Sequence, residues 1–158
     1  MASGNNVSTG GSDKSDKEQR RREARISVSW PCTVEKIAER PAQLPPTLAA
    51  VYERVVAEPS GIGQRHQLVL ADVSMNGAFV EGEALPLLSR VAMVFEVPGY
   101  RRVEAVGWVL WRRRDKCSVP GKDGKPVELP PGSGVLFEWL SLEARLEIAR
   151  RIARNLAE

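Results

Sequence analysis

Apolar and polar residues alternate with a period of two from Ile26 to Val34, the pattern of a strand that buries one face. Five later segments are rich in apolar or β-branched residues and are bounded by turn-forming residues such as Pro98-Gly99, which also indicates strands. These segments are residues 67–73, 77–80, 90–97, 102–112 and 134–139. The pattern therefore predicts six short strands.

Two further segments have helical periodicity. Between Pro46 and Pro59, in the long connection that follows the first predicted strand, apolar residues recur at helical spacing and predict a short helix over about 46–59. A second helix is predicted over about 141–157, with Ser141 as its N-cap. Its predicted apolar stripe consists of Leu142, Leu146, Ala149, Ile152, Ala153 and Leu156. Short strands followed by one amphipathic helix predict a small antiparallel barrel with the helix packed against it.

The chain divides into a polar tail and one domain. Residues 1–19 contain almost no apolar side chains, so we expect this tail to be disordered. Residues 20–158 are enough for a single hydrophobic core, since 42% of the whole chain is hydrophobic. No apolar run approaches the roughly 18 residues of a membrane span, and the N-terminus lacks a secretory signal, which together predict a cytoplasmic protein without a membrane partner.

The two cysteines, Cys32 and Cys117, are far apart and lie in no metal-binding spacing. Cys32 shares the apolar phase of the first predicted strand, so we expect it to be a small buried residue. Cys117 falls in a polar region with Gly121, Gly124 and Pro126 that is predicted to be a turn.

Positive charge is concentrated at the border between the tail and the domain. The whole chain has a net charge of +3, and the segment 20–25 alone contains four arginines and one glutamate. A compact basic patch of this kind suits a small anionic ligand better than a nucleic acid, for which a domain usually spreads its cations over a face.

Two short polar clusters suggest what this ligand site contains. Arg21 and Arg25 form an RxxxR pattern, and guanidinium groups can donate two parallel hydrogen bonds to phosphate or to a guanine edge. Asp72, Ser74 and Gly77 form a D-x-S-x-x-G pattern, in which the carboxylate and hydroxyl could bind a base or phosphate and the glycine permits a tight turn or a close approach. Asn76 could adopt positive φ beside it.

Either cluster alone has a plainer explanation. An arginine triplet beside a polar tail is commonly a solvated surface feature, and D-x-S-x-x-G commonly forms a turn. Trp30, Trp108 and Trp111 could stack on a base, but core packing is the favoured interpretation for each. For Arg112, Arg113 and Arg114 a solvated strand end is favoured over a docking site.

The two clusters, in this order and followed by the segments 106–111 and 132–137, resemble the PilZ domain family, which binds the bacterial second messenger cyclic diguanylate (c-di-GMP). The resemblance extends from about Arg20 to the C-terminus and implies a mainly β, six-stranded antiparallel PilZ-type barrel with a C-terminal helix. In the family, an arginine directly before RxxxR tends to accompany an intercalated ligand dimer, and Arg20 has that position. The ligand-binding residues implied are Arg20, Arg21, Arg25, Asp72, Ser74, Asn76 and Gly77.

The leading functional hypothesis is a non-enzymatic c-di-GMP receptor without a cofactor or metal. The sequence has no Walker pattern, no dinucleotide-binding glycine fingerprint and no nucleophile with a nearby base. On binding, residues 20–25 would close over the ligand and present a new surface to an unidentified downstream protein, regulating a bacterial process such as motility, surface behaviour or development.

Two alternatives remain open at this stage. The chain could be a nucleotide-independent PilZ-like adaptor that acts through the helix predicted at 46–59, which could also support a homodimer. A nucleic-acid-binding barrel is disfavoured because exposed aromatic residues are few in the pattern.

Overall fold

The computed structural model describes residues 24–37, 46, 47, 50 and 61–158. Within this part of the chain it has eight strands and one helix whose bounds are described, and residues 46, 47 and 50 are also helical. The elements are β1 Ile26–Lys36, β2 Arg65–Val73, β3 Gly77–Glu81, β4 Arg90–Glu96, β5 Arg102–Arg113, β6 Cys117–Pro120, β7 Pro126–Leu129, β8 Gly132–Leu140 and α1 Leu142–Ala157. The predicted disordered tail at 1–19 and most of the helix predicted at about 46–59 lie outside the described residues, so both stay predictions.

Six strands close into an antiparallel barrel in the order β1-β2-β3-β8-β5-β4. These are the six strands that the sequence predicts, and the mainly β barrel with a C-terminal helix is therefore confirmed. Alternate residues point inward, so Leu70, Val80, Met93 and Phe95 are completely buried. Cys32 is also buried, as predicted, and burial raises the pKa of its thiol to about 12.

A small hairpin lies in the region around Cys117 for which the sequence predicts a turn. β6 and β7 pair with each other as a separate two-stranded sheet, and Cys117 is an exposed free thiol in β6. The prediction of a turn for Cys117 was therefore wrong. The two strands were missed because the hairpin is exposed to solvent on both faces. Without a buried face it has no alternation of apolar and polar residues to reveal its strands.

Helix α1 begins where the sequence predicts. The Ser141 hydroxyl oxygen accepts a hydrogen bond from the Ala144 N–H at 3.2 Å, which confirms the N-cap. The buried face consists of Ala144, Ile148 and Ile152. The predicted stripe was therefore wrong except for Ile152, and its three leucines, Leu142, Leu146 and Leu156, are exposed. Among the described residues, no helix has both the length and the hydrophobicity that a bilayer span requires.

The barrel has two distinct ends. At the helix end, α1 lies beside the β4–β5 and β2–β3 turns: Arg151 donates to the Pro98 carbonyl oxygen at 2.5 Å, and Arg145 donates to the Met75 carbonyl oxygen at 2.8 Å. At the far end, β1 finishes at Lys36, whose carbonyl oxygen accepts from the Gly63 N–H at 2.8 Å. The D-x-S-x-x-G cluster is therefore at the helix end.

Candidate functional site

The D-x-S-x-x-G cluster forms the tight turn between β2 and β3. The Ser74 N–H donates to the Gly77 carbonyl oxygen at 2.8 Å, and the Ser74 hydroxyl oxygen accepts from the N–H groups of Asn76 and Gly77 at 3.2 and 3.1 Å. The Asn76 carbonyl oxygen accepts from the Phe137 N–H of β8 at 2.7 Å. Ser74 is 1% exposed, so its buried hydroxyl stabilises the turn through these hydrogen bonds.

A bulge in β2 turns Asp72 away from the core. The pairing of β2 with β3 shifts register between Leu70 and Asp72, so Val73 takes the next inward position. The Asp72 carboxylate accepts a hydrogen bond from the Ser27 hydroxyl of β1 at 3.1 Å. The bulge thus places a carboxylate on the outer wall of the barrel.

The outer wall continues as a row of cross-strand partners. Asp72 pairs with Phe79, Phe79 with Gly134, and Gly134 with Trp111. Directly paired residues in a sheet lie on the same face. The row therefore runs across four strands as a carboxylate, an aromatic ring, a gap without a side chain and a second aromatic ring.

The gap at Gly134 lets the two rings meet. Phe79 and Trp111 stack with centroids 5.3 Å apart and an interplanar angle of 10°. A Cβ atom at Gly134 would lie 2.0 Å from the indole nitrogen of Trp111, so a side chain here would displace the ring. The Arg113 guanidinium lies 5.4 Å from the Phe79 ring centroid and 5.7 Å from that of Trp111. Gly134 thus leaves the space in which the two rings form an aromatic platform.

A groove on this wall connects the arginine cluster with the turn. It holds about 420 Å³ of open space. Its lining residues are Arg25, Asn76, Gly77, Ala78, Leu110, Trp111, Gly134, Val135 and Leu136. Arg25 precedes β1 and is exposed, and Trp111 is 44% exposed. One groove therefore combines a guanidinium group, the backbone of a tight turn and an aromatic surface.

The predicted site residues fall into three groups. Arg25, Asn76 and Gly77 line the groove, whereas Asp72 lies along the wall and Ser74 lies under the turn. Arg20 and Arg21 lie outside the described residues. The groove thus brings together Arg25 from the arginine cluster and Asn76 and Gly77 from the D-x-S-x-x-G cluster.

Three details differ from the sequence-based expectations. Asn76 does not have positive φ; Leu88 is the one non-glycine residue that does within the described part of the chain. Gly77 does not need positive φ either, but a Cβ atom there would lie 2.6 Å from the Val135 carbonyl oxygen, so the glycine allows β8 to approach. The prediction of core packing is wrong for Trp111, which lies on the outer wall. For Trp30 it is confirmed, because this side chain is buried.

Arg145 of α1 is a residue of this site that the sequence analysis missed. One of its terminal guanidinium nitrogens donates to the Met75 carbonyl oxygen at 2.8 Å and to the Asn76 side-chain oxygen at 3.1 Å. These contacts join residues about 70 positions apart, and a helical pattern gives no sign of them. Arg145 therefore ties the helix to the turn that borders the groove.

We predict that Arg145→Gln loosens the β2–β3 turn. Loss of two charged hydrogen bonds should raise the amide exchange rates of Asn76 and Gly77 by about threefold to tenfold, because charged bonds of this kind contribute about 1.5–3 kcal/mol before solvent competition. Hydrogen exchange followed by NMR measures these rates. Arg154→Gln removes the same charge from an exposed position on the same helix and should leave them unchanged. Equal rates in both variants would contradict the prediction.

The charges at the site favour an anionic, aromatic ligand. Arg25 lines the groove, Arg145 contacts Asn76 of its lining, and the Arg113 guanidinium lies near the Phe79 and Trp111 rings, so the charged side chains near the groove include three cations. Across the described residues, no three His, Cys, Asp or Glu side chains gather in a way that could hold a metal ion. The groove can offer phosphate donors, a ring to stack on and, from Asp72, an acceptor along the wall.

The fold is similar to several solved structures, one of them a PilZ domain. The PilZ domain with c-di-GMP of YcgR from Escherichia coli matches with a TM-score of 0.52 and 16% identity over 86% of this chain and 91% of that one. The Bacillus subtilis inhibitor of motility, MotI, matches with a TM-score of 0.53 and 9% identity over 88% of this chain. MrkH, a c-di-GMP-dependent transcription regulatory factor, matches with a TM-score of 0.54 and 11% identity over 89% of this chain.

These similarities confirm the PilZ-type fold that the two clusters suggest. This chain spans 52% of the MotI and MrkH chains, so it corresponds to about half of each. No protein-family model matches the sequence, and no curated protein matches it.

Proposed function

We propose that this chain is a c-di-GMP receptor that uses the groove beside the β2–β3 turn. The observation that carries the proposal is that Arg25, which belongs to RxxxR, and Asn76 and Gly77, which belong to D-x-S-x-x-G, line one groove. The barrel that holds them has the fold of a PilZ domain solved with c-di-GMP. Residues 51 and 52 positions apart in sequence thus line the same groove, which supports the proposal.

Each part of the site has a role in this proposal. Arg25 binds a phosphate or a guanine edge through its two-pronged guanidinium. Trp111 offers an exposed indole on which a guanine can stack, a contact that is typically worth about 1–3 kcal/mol per base. The Asp72 carboxylate accepts from the N1 and N2 hydrogens of a guanine, exchanging its bond with Ser27 for stronger ones. Ser74 keeps the turn in shape.

Arg20 and Arg21 complete the site from the N-terminal side. Arg21 is four residues before Arg25, a distance of at most about 14 Å along an extended chain, so both arginines can reach a ligand in the groove. The free energy of ordering these residues, about 1–2 kcal/mol each, is similar to what each charged hydrogen bond returns. Residues 20–25 would therefore close over the ligand only when it is present.

The proposed output is altered contact with a downstream protein rather than catalysis. MotI is an inhibitor of motility and MrkH is a transcription regulatory factor, so motility and gene expression are the classes of process that we infer for this chain. A cytoplasmic location follows from the same proposal, because c-di-GMP acts inside bacteria. Surface behaviour and development are further processes of the same kind.

Titration calorimetry of the full chain with c-di-GMP tests the proposal. We expect saturable binding to the cyclic dinucleotide and at least tenfold weaker binding to the linear dinucleotide pGpG, whose opened ring does not hold both guanines in one arrangement. Trp111→Ala should weaken binding by about fivefold to a hundredfold through loss of stacking. No heat with the folded wild-type protein would refute the receptor and favour the nucleotide-independent adaptor.

A further inference from the structure

Helix α1 has two apolar faces, and the barrel uses only one of them. Ala144, Ile148 and Ile152 are at most 6% exposed. The second face, here called the leucine stripe, consists of Leu142, Leu146, Ala149, Ala153 and Leu156. Its leucines are 71%, 50% and 72% exposed in chain order. In the described structure this stripe faces solvent, a costly arrangement for large apolar side chains.

The spacing of the stripe is that of a helix-pairing seam. Its successive members are four, three, four and three residues apart, which is the a/d spacing of a coiled coil. The stripe extends for roughly 21 Å along the helix. Alanines at its middle, Ala149 and Ala153, permit a second helix to approach closely. The face therefore fits another helix better than it fits a sheet.

The charges beside the stripe suit a second copy of the same helix in the antiparallel direction. The first half of α1 carries Glu143, Arg145 and Glu147, a net charge of −1, and the second half carries Arg150, Arg151 and Arg154, a net charge of +3. Within one chain Glu143 pairs with Arg101, and Glu147 pairs with Arg150 and Arg151. A parallel pair would place like charges together, whereas an antiparallel pair places the acidic half of each helix beside the basic half of the other. Antiparallel helix dipoles also attract each other.

The leucines have the symmetry that such a pair requires. Leu142 and Leu156 are each seven residues from Ala149. A two-fold axis at Ala149 therefore places Leu142 of each copy beside Leu156 of its partner, as an isologous interface demands. We propose that the chain forms an antiparallel homodimer through the leucine stripe of α1.

The long connection between β1 and β2 is a less suitable occupant for this face. Its described flanks, Ile37 and Gly61, are at the far end of the barrel, where Ile37 donates to the Arg90 carbonyl oxygen at 3.0 Å. Helix α1 lies at the helix end, where it contacts Met75 and Pro98. The described flanks of the connection are thus separated from α1 by the length of the barrel, whereas a second copy can dock directly.

Sedimentation equilibrium of the full chain tests the dimer. The buffer must contain a reducing agent, because Cys117 is an exposed free thiol that could form disulfides between chains nonspecifically. A pair of short helices is a small interface, so we expect a dissociation constant on the order of 1–100 µM. Leu146→Glu buries two like charges in the seam and should raise that constant at least about tenfold.

Leu87→Glu is the matched control. Leu87 is 46% exposed, close to the 50% of Leu146, but it lies outside the helix. This variant should dimerise like the wild type, and both variants should keep unfolding midpoints within a few degrees of it, since both positions are exposed. A wild-type chain that stays monomeric at about 300 µM, or a dimer that Leu146→Glu leaves intact, would overturn the proposal. If the wild type is monomeric and Leu146→Glu lowers its unfolding midpoint, another part of the same chain covers the leucine stripe, and the dimer proposal is wrong.

Cysteine cross-linking tests the direction of the pair. In a Cys117→Ser background, Leu142→Cys and Leu156→Cys chains are mixed and oxidised. The antiparallel pair predicts a disulfide between the two different variants and little cross-linking of either variant alone, because like positions are then on opposite sides of the axis. Efficient cross-linking of each variant with itself would show a parallel pair and overturn the antiparallel arrangement. This outcome is independent of ligand binding, so it can fail while the receptor proposal holds.

Discussion

Arg25→Ala should weaken c-di-GMP binding by at least about a hundredfold, the largest effect expected from a single side chain among the described groove residues. Arg25 lines the same groove as the turn residues Asn76 and Gly77, and its guanidinium can donate two hydrogen bonds to one anionic group. Loss of about 2.7 kcal/mol corresponds to this factor, and charged hydrogen bonds contribute about 1.5–3 kcal/mol each. Titration calorimetry of wild-type and variant chains measures the ratio.

Two companion variants separate specific contact from general charge. Arg114→Ala removes the same charge from an exposed position after β5, away from the groove lining, and should change the affinity by less than about twofold at physiological salt. Arg25→Lys keeps the charge but loses the planar fork, so we expect an intermediate loss of about tenfold. If Arg114→Ala were as harmful as Arg25→Ala, the groove would not be the binding site.

Gly77→Ala should destabilise the fold by about 1–3 kcal/mol and also abolish measurable ligand binding. The added methyl group would lie 2.6 Å from the Val135 carbonyl oxygen, a backbone atom that cannot rotate away. Either β3 or β8 must move, and the turn that lines the groove moves with it. Urea unfolding measures the first effect and calorimetry the second.

Gly63→Ala distinguishes this steric effect from ordinary backbone strain. Gly63 has φ of +82° and open space around the position of a Cβ atom. Alanine there should cost about 1–2 kcal/mol because of its left-handed backbone, while ligand binding stays intact because Gly63 is at the far end. A Gly77→Ala protein that binds c-di-GMP as well as Gly63→Ala would show that β8 does not constrain the turn.

The barrel was predictable because its signal is local. Strands with one buried face alternate in sequence, as β1 does from Ile26 to Val34. The other barrel strands, including β3, which does not alternate, are apolar runs bounded by turn residues. The hairpin of β6 and β7 escaped prediction because it has no buried face. Periodicity also shows that α1 is amphipathic, but it cannot say which of two apolar faces meets the barrel, and the larger leucines drew the prediction to the wrong one.

The candidate site was predictable to the extent that it depends on short sequence patterns. RxxxR and D-x-S-x-x-G indicated the residues, and the groove brings Arg25, Asn76 and Gly77 together. Other features depend on strand register. Trp111 reaches the outer wall because the pairing of β5 with β8 shifts between Val109 and Trp111, and a periodic pattern does not show such a shift. The contact of Arg145 with the turn depends on tertiary packing in the same way.

The bridge from Arg145 to Met75 and Asn76 has a thermodynamic consequence. It makes the helix that carries the leucine stripe a direct neighbour of the groove that we propose for the dinucleotide, so Arg145 links the two proposed binding equilibria. Coupling free energies between two sites are reciprocal. Whatever factor the dinucleotide imposes on self-association, self-association must impose on dinucleotide affinity, and the cellular concentration of the protein would then tune its sensitivity to the messenger.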